Sequence, residues 1–371
     1  MKKIRSFVSR PKKPLLTAAL SLLFTTSAGF GVTPVVAQSQ IAQPAVTEAS
    51  APTLVHVFGQ LPNTQVQRVF AAGVPAAVIL SQLAPQQLIG WPRRMAKEQL
   101  ELLPQSTRDL TVVGALAGRG STVSMEQLVA FNTDMIVDIG DVNAHYLSMA
   151  KQVNQSTGIP YVLLSGRLEQ SPQQYRELGR LLAQSERAEK LALAAEAILA
   201  EAKALREEAA GKGLKFYMAR SADGLETGLR GSIHTEVLRT VGLYHVADEL
   251  EGDRLAQVSM EQLLLWQPDI ILTHSEAFLS SVYEDTTWRK IPAVQKRQVY
   301  LVPTLPYGWM DSPPGVNRLL GVLWLSNLIK KSPESEQVAK IKEFYELFYE
   351  VSLDEEQIRS FIGVPLKLSD D

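Results

Sequence analysis

About forty consecutive residues in the middle of the chain, Ser171 to Gly211, contain almost no strand formers, and this stretch limits the possible folds more than any other. Ser171-Pro172 opens a first helix. Ser185 is placed to cap a second, which reads RAEKLALAAEAILAEAKALREEAA up to a stop at Gly211-Lys212-Gly213. At 1.5 Å per residue its roughly 25 residues make a rod on the order of 38 Å long, the diameter of a small domain. Alanines and Glu/Lys/Arg pairs one turn apart stiffen it. An average helix is about half as long. The spacing therefore predicts a connecting helix, 185–210, between two separately layered halves.

Both halves alternate short apolar runs with amphipathic segments, the pattern of α/β layers. In the first, 53–184, strands are expected at Val69–Ala71, Leu88–Gly90, Thr111–Val113, Met135–Ile139 and Pro160–Leu164, forming one parallel-sheet lobe. Helices are expected between them at Pro75–Leu83, Ala96–Leu103, Met125–Phe131 and His145–Ser156. In the second, 211–371, the alternation resumes through Leu214–Ala219, Thr235–Val241, Tyr244–Val246, Met260–Trp266, Ile270–Thr273 and Gln298–Val302. Three helical patterns close the chain, at Val316–Ile329, Ser335–Val351 and Leu353–Phe361.

An internal repeat relates the halves. Val123-Ser-Met-Glu-Gln-Leu128 recurs letter for letter as Val258-Ser-Met-Glu-Gln-Leu263, and the match continues through Asp134 and Asp269. Each copy opens with a Ser-x-x-Gln capping pattern, in which Ser124 or Ser259 caps the helix. Glu126 and Glu261 then fall in the first turn, where the helix dipole favours a carboxylate. Two equivalent glutamates on two lobes are also what a pseudo-symmetric partner would dock against. Spacing alone leaves both readings open.

The first residues change the charge balance. Lys2, Lys3, Arg5, Arg10, Lys12 and Lys13 precede an apolar run from Leu15 to about Phe30, and Val35-Val36-Ala37 has the small residues a signal peptidase accepts. Residues 1–37 are therefore expected to be a signal peptide cut after Ala37, and 38–52 a flexible leader. The whole chain carries 37 basic and 39 acidic residues; without the six basic ones of the signal peptide the balance is 31 to 39, a net −8. The expected product is exported and acidic, and no later apolar run approaches membrane-spanning length.

Composition removes several chemistries. With 46% hydrophobic and 20% charged residues the chain is of globular type. The absence of cysteine excludes disulfides, thiolate metal sites, a cysteine nucleophile and an N-terminal lipidated cysteine. The five histidines form no H-E-x-x-H and no pair at helical spacing; His234 and His274 follow a Gly-rich loop or a strand and are weak metal candidates, an ordinary hydrogen-bonded role being the alternative. Gly114–Thr122 lacks the ending of a phosphate loop, and no G-x-S-x-G elbow occurs. What recurs is arginine beside glycine or aromatics at presumptive strand ends: Trp91-Pro92-Arg93-Arg94, Gly118-Arg119-Gly120 and Leu229-Arg230-Gly231. In open parallel sheets the ligand crevice lies outside the carboxyl ends of the strands. Arginines there suit an anionic ligand, with Trp91, Tyr307 and Trp309 as flat contact surface.

Several segments together resemble the helical-backbone periplasmic substrate-binding proteins of ABC importers, which take up iron-siderophore, haem, cobalamin and related metal complexes. They are TGIPYVLLSGRL (157–168), YRELGRLL (175–182), DGLETGLRGSIHTEVLRTVG (223–242), SMEQLLLWQPDIIL (259–272) and PYGWMDSPPGVNRLLGVLWL (306–325). The resemblance implies two Rossmann-like lobes with parallel sheets, joined by one long backbone helix, with the ligand in the cleft between them. It also implies that Glu126 and Glu261 dock into arginine pockets of a membrane permease, and that ATP hydrolysis belongs to a separate subunit. A monomeric receptor without intrinsic cofactor is expected, delivering a bound metal complex to a permease dimer.

For the ligand, an anionic iron complex held by some of Trp91, Arg93, Arg94, Arg119, Arg230, His234, Tyr307 and Trp309 is the first expectation. A nickel or cobalt chelate, haem, cobalamin, or molybdate or tungstate in a smaller arginine-lined pocket is the alternative. An exported metal-dependent enzyme would need a cluster of nucleophile or metal ligands, and none is visible. A ligand-free sensor would present the two glutamates without an arginine-lined cleft.

Overall fold

A computed structural model describes residues 53–118, 122–209 and 213–362. The signal peptide, the leader, Arg119 and the Gly211-Lys212 stop lie outside the described residues.

The first lobe is built on a four-stranded sheet of order β1-β4-β3-β2, from β1 (Val55–Phe58), β2 (Val69–Ala71), β3 (Met135–Gly140) and β4 (Tyr161–Ser165). Strands β2, β3 and β4 are parallel, as the alternating pattern predicts, whereas β1 pairs antiparallel along β4, Val55 with Leu164 to Phe58 with Tyr161. The expected strands at 88–90 and 111–113 shrink to single bridges, Val69 to Leu88 and Trp91 to Val112. Pro85 and Pro92 bracket the first of them and lack the N–H a ladder needs. The helices of this lobe are α1 (Val74–Leu83), α2 (Lys97–Glu101), α3 (Met125–Ala130), α4 (Ala144–Thr157) and α5 (Ser171–Leu181).

The long helix α6 runs from Ser185 to Ala209. Ala188, Leu191, Ala192, Ala195, Ala202 and Leu205 are buried along one stripe, so its small residues let neighbours approach closely. A Cβ on Gly179 of α5 would lie 2.2 Å from the Ala188 Cβ, which is why that position of α5 carries no side chain.

The second lobe has a fully parallel sheet of order β10-β9-β5-β7, from β5 (Lys215–Ala219), β7 (Tyr244–His245), β9 (Ile270–Thr273) and β10 (Val299–Leu301). A separate antiparallel pair, β6 (Glu226–Gly228) with β8 (Leu255–Gln257), is too short to show a period in the sequence. Helices α7 (Glu236–Thr240), α8 (Met260–Trp266), α9 (Glu276–Ser281) and α10 (Pro292–Gln295) intervene, and α11 (Arg318–Lys330), α12 (Glu334–Phe344) and α13 (Glu355–Ile362) follow. The helix expected over 335–351 widens to a π turn at Tyr345–Tyr349 and ends where Glu350 takes a left-handed φ of 56°.

Side-chain alternation divides the core. Val137, Ile139, Val162 and Leu164 of the first sheet, and Phe216, Met218, Ile270 and Leu272 of the second, share one apolar core with α6 and α11. Ile136, Tyr161 and Leu163 pack on the opposite face of the first sheet, and Tyr217 and Ile271 on that of the second. The carboxyl ends of the central strands are left to loops, and the polar residues gather there.

Candidate ligand site

Arg220 directly follows β5 and His274 directly follows β9; His234 lies in the loop after β6, and Asp311 in the loop after β10. The parallel sheet delivers Arg220, His274 and Asp311 to one place, and the loop after β6 adds His234. The Asp311 side chain is fully buried, 0% exposed. Its Oδ2 accepts from His234 Nδ1 at 2.9 Å and its Oδ1 from His274 Nε2 at 2.5 Å. Arg220 Nε lies 2.5 Å from Oδ2 but outside hydrogen-bond alignment, so that contact is an ion pair rather than a directed bond, while Arg220 Nη1 donates to Glu226 at 2.7 Å. Burial alone would raise the Asp311 pKa, but the His234 and His274 hydrogen bonds and the Arg220 charge hold it far below the usual carboxylate range.

An ionised carboxylate only accepts, so the His234 Nδ1 carries the proton, and among the described residues no hydrogen bond is made to Nε2. His274 is held by the opposite nitrogen, and its Nδ1 is buried without a hydrogen bond among the described residues. The cluster is thus a carboxylate-anchored set of Arg and His groups with unspent polar atoms, suited to hold a ligand. Among the described residues no set of three or more His, Asp or Glu side chains is placed to hold a metal ion unaided.

The first lobe contributes from the equivalent edge of its sheet. Asp141 follows β3, and Arg167 lies two residues beyond the end of β4. Burial raises the Asp141 pKa; the charges of Arg167 and of His234, from the other lobe, oppose the shift, while Asp253 and Glu236 add to it. Residues at the carboxyl ends of the first sheet's strands and loop residues of the second lobe therefore interact across the lobe boundary, where open α/β sheets bind ligands.

Beneath this edge, Asp138 of β3 accepts from the Tyr161 hydroxyl at 2.8 Å. Burial pushes its pKa up to about 6, against the Tyr161 and Ile139 hydrogen bonds. The folded value exceeds the unfolded one of about 3.9, so the native state binds the proton more tightly. The contribution of Asp138 to stability is full below the unfolded value and is lost as pH rises through about 6. Asp138→Asn is expected to raise the melting temperature at pH 7.5 by ~2–4 °C, roughly 1 kcal/mol, and to give no gain at pH 4, as thermal scans at the two pH values would show.

The residues singled out in the sequence divide into three groups. His234 and His274 meet at Asp311, in the hydrogen-bonded role that the sequence allowed beside the metal-ligand one. Trp91, Tyr307 and Trp309 instead belong to the core, with exposures of 3%, 1% and 0%. The Trp91 and Trp309 indoles donate inward, to the carbonyls of Thr107 and Leu305, so these rings offer no open face to a ligand. Arg93 and Arg94 are exposed, and the Arg93 charge acts on the Tyr307 hydroxyl. Arg230 is spent on its own lobe, paired with Glu251 and donating to the Asp248 carbonyl.

Glu126 and Glu261 are exposed on α3 and α8. The predicted capping box is complete at Ser124 and Gln127; at the second copy Ser259 accepts from the Gln262 N–H. In each glutamate its own backbone N–H, then the capping serine, holds the carboxyl below the usual range. Sequence reading missed Arg220, Asp311, Asp141 and Arg167. The strand-end argument applied to Arg220 and Arg167 as well as to the arginines chosen; nothing local marked Asp311, which only the fold brings to the histidines.

The family described as periplasmic binding protein matches residues 85–305, more than half of the chain. The chain is 23% identical over 307 residues to the molybdate-binding protein MolA of Haemophilus influenzae, covering 72% of this chain and 82% of that protein. It is 31% identical over 159 residues to the vitamin B12-binding protein of Salmonella choleraesuis, covering 42% of this chain and 56% of that one. An ABC transporter solute-binding protein from Sulfurospirillum deleyianum superposes with a TM-score of 0.74 at 27% identity, over 82% of this chain and 96% of its own. Molybdate-bound MolA superposes at 0.64 with 21% identity, over 80% and 96%, and shares the fold. These relatives are binding proteins rather than enzymes, and proteins of this family are periplasmic and work with ABC permeases. The chain belongs to the periplasmic binding protein family, in its two-lobe, helical-backbone form.

Proposed function

We propose that this chain captures a small metal oxyanion, of the molybdate or tungstate kind, and delivers it to an ABC permease. The observation that carries the reading is the Arg220, His234 and His274 cluster on the buried Asp311, next to Arg167 of the first lobe. A ferric catecholate or carboxylate complex is large and calls for aromatic walls, and the three aromatic residues expected to supply them are in the core. A tetrahedral oxyanion needs only a few convergent donors. The similarity to a molybdate-binding protein over most of both chains supports the same choice. Exposed Arg93 and Arg94 favour the second reading, an anionic ferric chelate. In either case the protein works as an exported monomer, freed from its signal peptide, and performs no reaction on its cargo.

Calorimetric titration with molybdate, tungstate, sulfate, a ferric catecholate, haem and cobalamin decides the ligand. Saturable one-to-one binding of molybdate and tungstate, with sulfate at least tenfold weaker, is expected. Binding of the ferric complex alone would replace the oxyanion reading with the second one.

A further inference from the structure

We propose that Glu236 and Arg318 are positioning residues that lock the two lobes together at the ligand site before any ligand arrives. The inference rests on the reading of the Asp311 cluster as that site. Arg318, at the start of α11, is only 1% exposed. Its guanidinium donates through Nε to the Gly315 carbonyl at 2.9 Å, and through Nη1 to the Ile233 carbonyl at 2.6 Å and to Glu236 Oε2 at 2.9 Å. Its Nη2 donates to the Gly166 carbonyl of the other lobe at 2.5 Å. Glu236 reaches across in turn: it accepts from the Leu168 N–H at 2.8 Å and from Arg167 Nη1 at 2.9 Å. Arg167 Nη1 also donates to the Gly231 carbonyl at 2.8 Å.

These bonds converge on one short loop. His234 sits between Gly231, held by Arg167 of the first lobe, and Glu236, held by Arg167, Leu168 and Arg318, while the neighbouring Ile233 carbonyl is held by Arg318. The ligand-presenting histidine of one lobe is therefore fastened on both sides to the end of β4 in the other. Opening the lobes here would take the Gly166 carbonyl from the buried Arg318 guanidinium, and the Leu168 N–H and the Arg167 guanidinium from the mostly buried Glu236 carboxylate, and removing hydrogen-bond partners from buried charged groups is costly. A fixed span between Arg167 and His234 spares the ligand the cost of ordering the cleft, which is how preorganisation raises affinity.

The absence of cysteine makes a direct test possible. Lys151→Cys on α4 and Lys290→Cys in the second lobe, both exposed, take spin labels, and pulsed electron resonance reads the inter-lobe distance. One narrow distribution is expected without ligand, and Arg318→Met should broaden it at least twofold. Glu236→Gln keeps the size and one acceptor oxygen while losing the charge and turning the other oxygen into a donor, and should broaden it less; it stands in if Arg318→Met fails to fold. Molybdate dissociation, followed by stopped-flow fluorescence, should speed up at least tenfold in the broadened variant. A distribution as narrow as the parent's in the folded variants overturns the lock, and broadening with unchanged molybdate kinetics overturns its positioning role. If the parent itself does not bind molybdate, the oxyanion reading fails, while the distance measurement still judges the lock.

Discussion

Asp311→Asn is expected to abolish ligand binding and to destabilise the protein by about 3–5 kcal/mol, the usual cost of removing one partner from a buried charged group. The side chain is fully buried, and three groups depend on it: Arg220, His234 and His274. An asparagine keeps the shape but turns one acceptor oxygen into a donor, so at least one imidazole N–H then faces another donor, and Arg220 loses the negative charge beside it. Ligand affinity should fall at least a hundredfold, because His234 loses the bond that fixes its ring and its proton. Urea unfolding and calorimetry on the same sample measure the two effects. Unchanged affinity in a folded Asp311→Asn protein would remove the cluster from the ligand site. The sign of the pH dependence adds a check. The folded Asp311 pKa is depressed, so its stabilising contribution is present above the unfolded value of about 3.9 and is lost as pH falls toward the folded one. The parent should therefore lose its advantage over Asp311→Asn in acid and keep it from pH 5 upward.

The double reversal Glu126→Arg with Glu261→Arg should reduce uptake to background while ligand affinity stays within about twofold of the parent's. Both carboxylates are exposed and ionised, on short helices that are copies of one another. Each helix also shows an exposed apolar side chain one turn further along the same face: Val129, 53% exposed, after Glu126, and Leu265, 76% exposed, after Glu261. An acidic group beside an apolar one, presented once per lobe, suits a partner that offers arginine and an apolar contact at two symmetric places. The sign of the charge then matters most, since like charges facing each other across an interface cost several kcal/mol. Transport assayed in proteoliposomes holding the permease and its ATPase, beside titration of the free protein, separates the two functions. Uptake that survives the double reversal would rule out these helices as the docking surface. A single reversal should leave partial activity that falls with added salt, because one acidic contact stays in place and exposed charges are screened.

How far the fold could be read in advance depended on the range of the signal. Helix α6 and the parallel strands β3, β4, β5 and β9 announce themselves through patterns that repeat every few residues, and the structure places them within a few residues of expectation. Strand β1 and the β6–β8 pair did not: no continuous apolar run marks them, and their pairing partners lie as far as about a hundred residues away. The aromatics were misjudged for a related reason. Trp91 beside Pro92 and arginines looks like a surface ring, and only its packing in the apolar core, with the distant Thr107 carbonyl taking up its N–H, makes it a core residue.

The site follows the same division. The repeat at 123–128 and 258–263 already placed a capped glutamate on each lobe, because a cap is made within four residues. His234 and His274 were visible as histidines after a loop and a strand, without anything to join them. What joins them is Asp311, 77 residues from one and 37 from the other, and the lobe-to-lobe bonds of Arg318 and Glu236 span 152 and 68 residues. By itself the amino-acid order determined the layers, the connecting helix and the pseudo-symmetry, all of which rest on local periodicity and on copied segments. The tertiary structure alone decided which charges meet, because a buried carboxylate or guanidinium selects its partners by the geometry of strand ends brought together from distant parts of the chain.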